Sequence, residues 1–198
     1  ADPDEYIIYR KVSGSSTWTK LSIDVEVEKI KEGDKTVTYI IAKDTTAKAG
    51  NKYVYTVVSS DGEDYSARYE TGWTISLLKA PSIKSVENYY GGPKITWGKV
   101  TGAEKYNVYR KVSGGKYKYI GATSKTYYTD KTAKSGTKYY YAIRAKRDDS
   151  ISSQTASLSK YYLEDPTLNT PTSTSKGVGL RWSEVAGAEG YIIYRKTG

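Results

Sequence analysis

The 198-residue chain has no cysteine, no histidine, no methionine and no phenylalanine, and only five prolines. Each absence excludes something. Without cysteine there is no disulfide framework and no thiolate nucleophile, which fits a cell-surface protein that does not rely on disulfides and equally a cytosolic one. Without histidine, the usual proton shuttle near neutral pH is missing. No apolar run approaches the roughly 20 residues of a membrane-crossing helix, and no signal-peptide pattern is present. No glycine-rich phosphate loop follows a strand, and no metal-ligand cluster stands out. The acidic pairs Glu63/Asp64 and Asp148/Asp149 fall in expected turns, where adjacent side chains diverge. Asp61 and Asp64 make the one weak calcium candidate. The chain therefore reads as non-catalytic, with no cofactor and no metal.

What is present is tyrosine: 22 of them, with 4 tryptophans, in a chain only 37% hydrophobic. That is little for one large core, but enough for small sandwiches in which tyrosine serves as core filler and surface dressing at once. The net charge of +9 comes from lysines and arginines scattered through alternating segments. A nucleic-acid binder would gather them on one stripe, so these charges read as solvated faces.

The lettering repeats. YIIYRK at 6–11 returns at 191–196, and YNVYRK stands at 106–111. Tyr106 and Tyr191, Trp97 and Trp182, and Pro81 and Pro166 are each 85 residues apart. TAKAGNKYVYTV at 46–57 parallels TAKSGTKYYYAI at 132–143, an offset of 86, whereas YRKVSG at 9–14 parallels 109–114 at an offset of 100. About 14 extra residues therefore lie in the first copy, near 24–37. Their alternation on both sides of Gly33 and Asp34 predicts a β-hairpin. Elsewhere short segments rich in Tyr, Val, Ile and Thr, with period-two alternation and Gly, Ser and Asp turns, predict an all-β sandwich repeated in tandem.

Three motifs carry a family resemblance: the Trp of ITW and LRW in a second strand, the Y-x-V-Y-R third strand, and the GTKYYYAI-type sixth strand. Together they resemble the fibronectin type III repeats of Gram-positive surface proteins and secreted hydrolases. The resemblance implies seven-stranded, immunoglobulin-like sandwiches, with Tyr53 and Tyr139 at the tyrosine-corner position. On that frame, residues 1–80 are a module lacking strands A and B and carrying the hairpin. Residues 81–165 form a complete module, and 166–198 supply strands A, B and C of a third. Half-sandwiches leave an inner face and strand edges in water. Strands A and B near 168–185 of one chain are therefore expected either to complete the first module of another, in a strand-swapped oligomer, or to fray.

Alternation also sorts the faces. Tyr106, Val108, Tyr139, Tyr141 and Ile143 are expected inward; Asn107, Tyr109, Lys111, Tyr140, Arg144 and Lys146 outward. Tyr117 or Tyr119 joins Tyr109 and Tyr140 on the neighbouring strand. Candidate partner-binding residues are thus Tyr109, Tyr117, Tyr119, Tyr140 and Arg144 on that sheet, Lys29, Lys31, Lys35 and Tyr39 on the hairpin, and Trp18 just before it. Tyrosine gives a large contact area at low entropy cost, although cross-strand tyrosine pairs also stabilise a half-wet sheet with no partner. Trp73, whose counterpart is Leu158, is expected to pack in the core.

Three functions fit. The first is a binding segment of a bacterial cell-surface or secreted protein that holds a host glycoprotein, with immunoglobulin as the first candidate. The second is a passive spacer or stalk. The third is a carbohydrate-binding module with aromatic platforms. None involves nucleic acid or membrane insertion. In the first, replacing Lys29–Lys35 by a short Gly-Ser turn should abolish capture.

Overall fold

The computed structural model describes residues 5–196, which contain strands and turns and no helix. The fold is all-β, built from sheets in tandem. In the first part, β1 (Glu5–Val12) pairs along its length with β5 (Lys52–Ser60), Glu5 opposite Ser60 and Val12 opposite Tyr53. β2 (Thr19–Lys20) and β6 (Trp73–Ser76) flank them in the order β2-β1-β5-β6. Between β2 and β5, β3 (Val25–Glu32) and β4 (Lys35–Ala42) make a separate two-stranded sheet. Its two-residue turn is Gly33-Asp34, with Gly33 at φ 64, the left-handed conformation that such a turn requires. The hairpin runs from Val25 to Ala42 and so extends past the 24–37 in which the surplus residues fall. The surplus in residue count marked only the insertion; the second strand also uses the residues that lead into the next conserved segment.

The central part contains β7 (Ile83–Glu87), β8 (Lys94–Trp97), β9 (Lys105–Val112), β10 (Lys118–Thr123), β11 (Tyr127–Thr129), β12 (Thr137–Arg147), β13 (Ser150–Ile151) and β14 (Leu158–Tyr162). They form two sheets, β11-β8-β7 and β10-β9-β12 with β13 and β14 both on the far side of β12. One hydrophobic cluster lies between the two. Ile95, Val108, Tyr141 and Ile143 are fully enclosed there, and Trp97, Tyr106 and Tyr139 nearly so. Trp97 and Tyr106 meet edge to face at 5.4 Å, and the Tyr106 hydroxyl accepts the Val100 N–H. The Tyr139 hydroxyl accepts the Lys134 N–H five residues upstream, as Tyr53 does from Lys48. This closes the tyrosine corner in both parts.

In the last part, β15 (Thr172–Thr174) and β16 (Gly177–Gly179) pair, and Leu168 bridges Trp182. The register matches Glu87 opposite Lys94 and Ile83 opposite Trp97 in the centre. Trp182 again meets Tyr191, at 5.5 Å, and Val185 N–H again donates to its hydroxyl. Residues 191–196, identical to 6–11 and expected as a third strand, pair with nothing and lie exposed. A strand needs a neighbour, and among the described residues there is no second copy of β12 beside it.

Two ionic knots repeat as well, half-buried in the first part and with a buried carboxylate in the centre. Arg10 meets Asp44 at 2.5 Å, with Thr46 and Tyr55 donating to the same carboxylate. Arg110 meets Asp130 at 2.6 Å, with Thr132 and Tyr141 in the same roles. Burial pushes Asp44 up, but the hydrogen bonds from Tyr55, Thr46 and Arg10 outweigh it and pull the carboxyl down to about 2. Burial and the Asp44 carboxylate push the Tyr55 phenol up to about 12. The junctions repeat too. A Cβ on Gly102 would fall 2.6 Å from the Gly50 carbonyl oxygen, and one on Gly187 would fall 2.5 Å from Gly136 Cα. Both glycines also have positive φ, 80 and 82, so only glycine permits these two contacts.

Candidate partner-binding surfaces

The outward face of β9, β10 and β12 brings the sheet candidates together. Tyr109 and Tyr119 are register partners whose rings meet edge to face at 5.8 Å. Arg144 Cζ lies 6.0 Å from the Tyr109 ring centre. Lys111 Nζ sits 5.0 Å from the Tyr117 ring and 5.7 Å from the Tyr140 ring, and Lys138 Nζ is 5.8 Å from Tyr140 on its other flank. Tyr109 and Tyr140 are diagonal neighbours, opposite Ala142 and Lys111. Tyr119 is exposed; Tyr109, Tyr117, Tyr140 and Arg144 are half-buried. Arg144 Nε is shielded and has no hydrogen-bond partner. The result is an aromatic floor studded with three cations that make four cation–π contacts, each worth about 0.5–1 kcal/mol at an exposed site. Lys111 and Lys138 belong to it although neither was singled out; their signal was the two-residue spacing from Tyr109 and Tyr140 on strands already read as alternating.

The same face in the first part is occupied. Lys11 Nζ lies 4.5 Å from the Trp18 ring, as Lys111 does beside Tyr117. Here, however, the segment 61–72 returns across the sheet. Ser66 N–H donates to Ser59 O. Arg68 Cζ stands 5.7 Å from the Tyr9 ring and 5.4 Å from Trp18. Gly72 packs so closely on Val54, Tyr55 and Trp18 that an added Cβ would clash with the Tyr55 carbonyl at 2.6 Å. Ile7, Val54, Thr56 and Val58 are buried as a result. Trp18 is thus half-buried under Arg68 rather than a free anchor. This also explains why residue 7 is isoleucine where the centre has Asn107.

The hairpin candidates divide. Register places Lys29 and Lys31 on one face with Val25, Val27 and Ile40, and Lys35 and Tyr39 on the other with Glu28, Ile30 and Ile41. Both faces are solvent-exposed. The Tyr39 hydroxyl donates to Glu32 at 2.6 Å, and that carboxylate raises the phenol's pKa. The four residues therefore do not converge on one site. Trp73 departs from expectation altogether, at 81% exposed. It is the register partner of Tyr55 and so lies on the core-side face, but nothing among the described residues lies over it there. Asp61 Oδ1 accepts the N–H groups of Glu63 and Asp64, so the calcium candidate is an Asx turn. No three acidic residues come together among the described residues, and no helix is long and apolar enough to cross a membrane.

No protein-family model matches the chain, and no curated protein matches it. Solved structures do. A fibronectin type III-like protein from Clostridium thermocellum is 33% identical, over 42% of this chain and 91% of its own length, with a TM-score of 0.39. A structure named FN3tt is 28% identical, over 42% of this chain and 96% of its own, with a TM-score of 0.36. A segment of two fibronectin type III domains from chicken tenascin is 18% identical over 81% of this chain and 86% of its own, with a TM-score of 0.42.

Proposed function

Since the chain belongs to the fibronectin type III-like family, we propose that it is a non-catalytic binding segment of a bacterial cell-surface or secreted protein, holding a host glycoprotein on the tyrosine face of β9, β10 and β12. Immunoglobulin is the first candidate, because another β-sandwich offers flat sheets and strand edges of matching shape. One observation carries the reading. The face bearing Tyr109, Tyr117, Tyr119 and Tyr140 is open in the centre, whereas the chain itself covers the same face in the first part with 61–72. A surface that takes one polypeptide segment has the chemistry to take another. Tyrosine and arginine are also the residues that most often anchor protein interfaces.

The test is capture from serum or mucosal secretions by the immobilised chain, compared with Tyr109→Ala/Tyr119→Ala and with the Gly-Ser replacement of 29–35. The expected outcome is loss of capture in the tyrosine double variant and retention in the hairpin replacement. The reverse pattern moves the site to the hairpin, and capture by neither face removes the reading.

The repeated glycine contacts, Gly50 with Gly102 and Gly136 with Gly187, favour a second reading as a spacer. They hold successive units at one angle, which suits a stiff stalk. In that case capture fails for the unaltered chain, and Gly102→Val broadens its small-angle scattering profile.

A further inference from the structure

We infer that the chain associates with a second copy of itself, the hairpin β15–β16 and its flanks at 166–185 of one copy covering the core-side face of β1, β5 and β6 of the other. The centre of the molecule shows the finished arrangement. There the sheet β11-β8-β7 lies on β10-β9-β12-β14, and Ile95 and Trp97 share a cluster with Val108, Tyr139, Tyr141 and Ile143. The chain contains each half of this arrangement once more, on its own. Residues 168–182 repeat β7 and β8 at an offset of 85, pairing in the same register. Residues 6–12 and 52–60 repeat β9 and β12, again pairing in the same register.

Two of the repeated core positions are left exposed, while Ile8 and Tyr53, the counterparts of Val108 and Tyr139, are buried at the end of the same face. Leu180 stands for Ile95 and is 37% exposed, where Ile95 is sealed at 0%. Val57 stands for Ile143 and is 51% exposed against 0%. Trp73 and Ile75 lie on the same uncovered face, opposite Tyr55 and Tyr53. A groove of about 360 Å³, lined by Ile8, Ile23, Tyr53, Tyr55 and Ile75, opens onto it. The free sheet and the free hairpin are therefore the two sides of an interface the sequence already encodes once, and each presents the chemistry that the other needs.

The edges match as well. In the centre β11 pairs with β8, Tyr128 opposite Ile95. The counterpart of β11 in the first part is the end of β4, whose pairing is on the β3 side. Its other edge can take the partner's strand, Ala42 opposite Leu180. Residues 191–196, which follow the hairpin, are unpaired and are not needed for this contact, because β1 already fills that place. Two copies exchanging hairpins reciprocally make a closed dimer, and one-way docking makes a head-to-tail series.

The chain has no cysteine, which allows a direct test. The double variant Ala42→Cys/Leu180→Cys is oxidised mildly and run without reductant. The expected result is a disulfide-linked species of two or more chains, well above the sum of the two single variants. An internal disulfide in a single chain, or no bond, overturns the inference. Light scattering on the unaltered chain at micromolar concentration should give more than one chain per particle; a monomer throughout overturns it. Trp182→Asp should lower the particle mass toward one chain while the melting transition of the central part stays in place, which shows that the variant is still folded; a particle mass equal to that of the unaltered chain overturns it.

Discussion

The sheets β2-β1-β5-β6 and β10-β9-β12-β14 are built from nearly the same letters, yet they are covered on opposite sides. In the centre the inner face is sealed by β7, β8 and β11, and the outer face with its tyrosines is open. In the first part the outer face lies under 61–72, and the inner face, although Ile8 and Tyr53 are buried on it, leaves Val57, Trp73 and Ile75 exposed. A two-faced sheet needs at least one cover to bury enough apolar surface, and here the same strand sequence accepts a cover on either side. Side-chain direction is written into each strand; which direction becomes the core depends on what else the chain brings to it.

The largest expected effect comes from the buried ionic knot in the centre. Asp130 is 1% exposed, so Asp130→Ala leaves Arg110 and Tyr141 without their partner and should cost about 3–5 kcal/mol in thermal or denaturant unfolding. The matched pair Ile143→Ala and Val57→Ala addresses the comparison more sharply. In the chain diluted until it is monomeric, the first should cost about 2–4 kcal/mol, while the second, at the same sheet position but half in water, should stay within about 0.5 kcal/mol. Equal costs in the monomer would mean that Val57 is covered within its own chain.

Smaller still is Arg68→Ala, which removes the cation lying against both Tyr9 and Trp18. About 1 kcal/mol is expected, visible in hydrogen exchange across β1 and β5 and absent in the centre. The pH profile gives the mildest effect. The Asp44 pKa is depressed to about 2, so its contribution is present above pH 4 and fades as pH falls toward 2. The Tyr55 pKa is raised to about 12, so its contribution is whole below pH 10 and is lost as pH rises through 12. Asp44→Asn should flatten the acid limb for the first part, followed by amide signals of β5.

The 85-residue period, the strand identities and the inward or outward sense of Tyr106, Val108, Tyr109, Tyr139, Tyr140 and Tyr141 were legible because they depend on lettering and alternation alone. Trp73 was misread because period two tells which side a residue faces and not whether anything lies opposite. The cover over Trp18 was hidden because 61–72 has no periodicity; its trace was Ile7 in place of Asn107. The hairpin candidates parted for a reason of parity, since Lys29 and Lys31 share a face that Lys35 and Tyr39, across a two-residue turn, do not. YIIYRK at 191–196 shows the opposite limit: the same six letters that pair fully at 6–11 pair with nothing there, because a strand is completed by its neighbour.

Hydrogen exchange on the unaltered chain, diluted until it is monomeric, tests the contrast between the two sheets most directly. Amides of β12 from Tyr139 to Ala145 should be the slowest in the molecule, and those of β5 from Tyr53 to Ser59 should exchange markedly faster. Equal protection of β5 and β12 in the monomer would contradict the assignment of one sealed sandwich and one half-covered sheet.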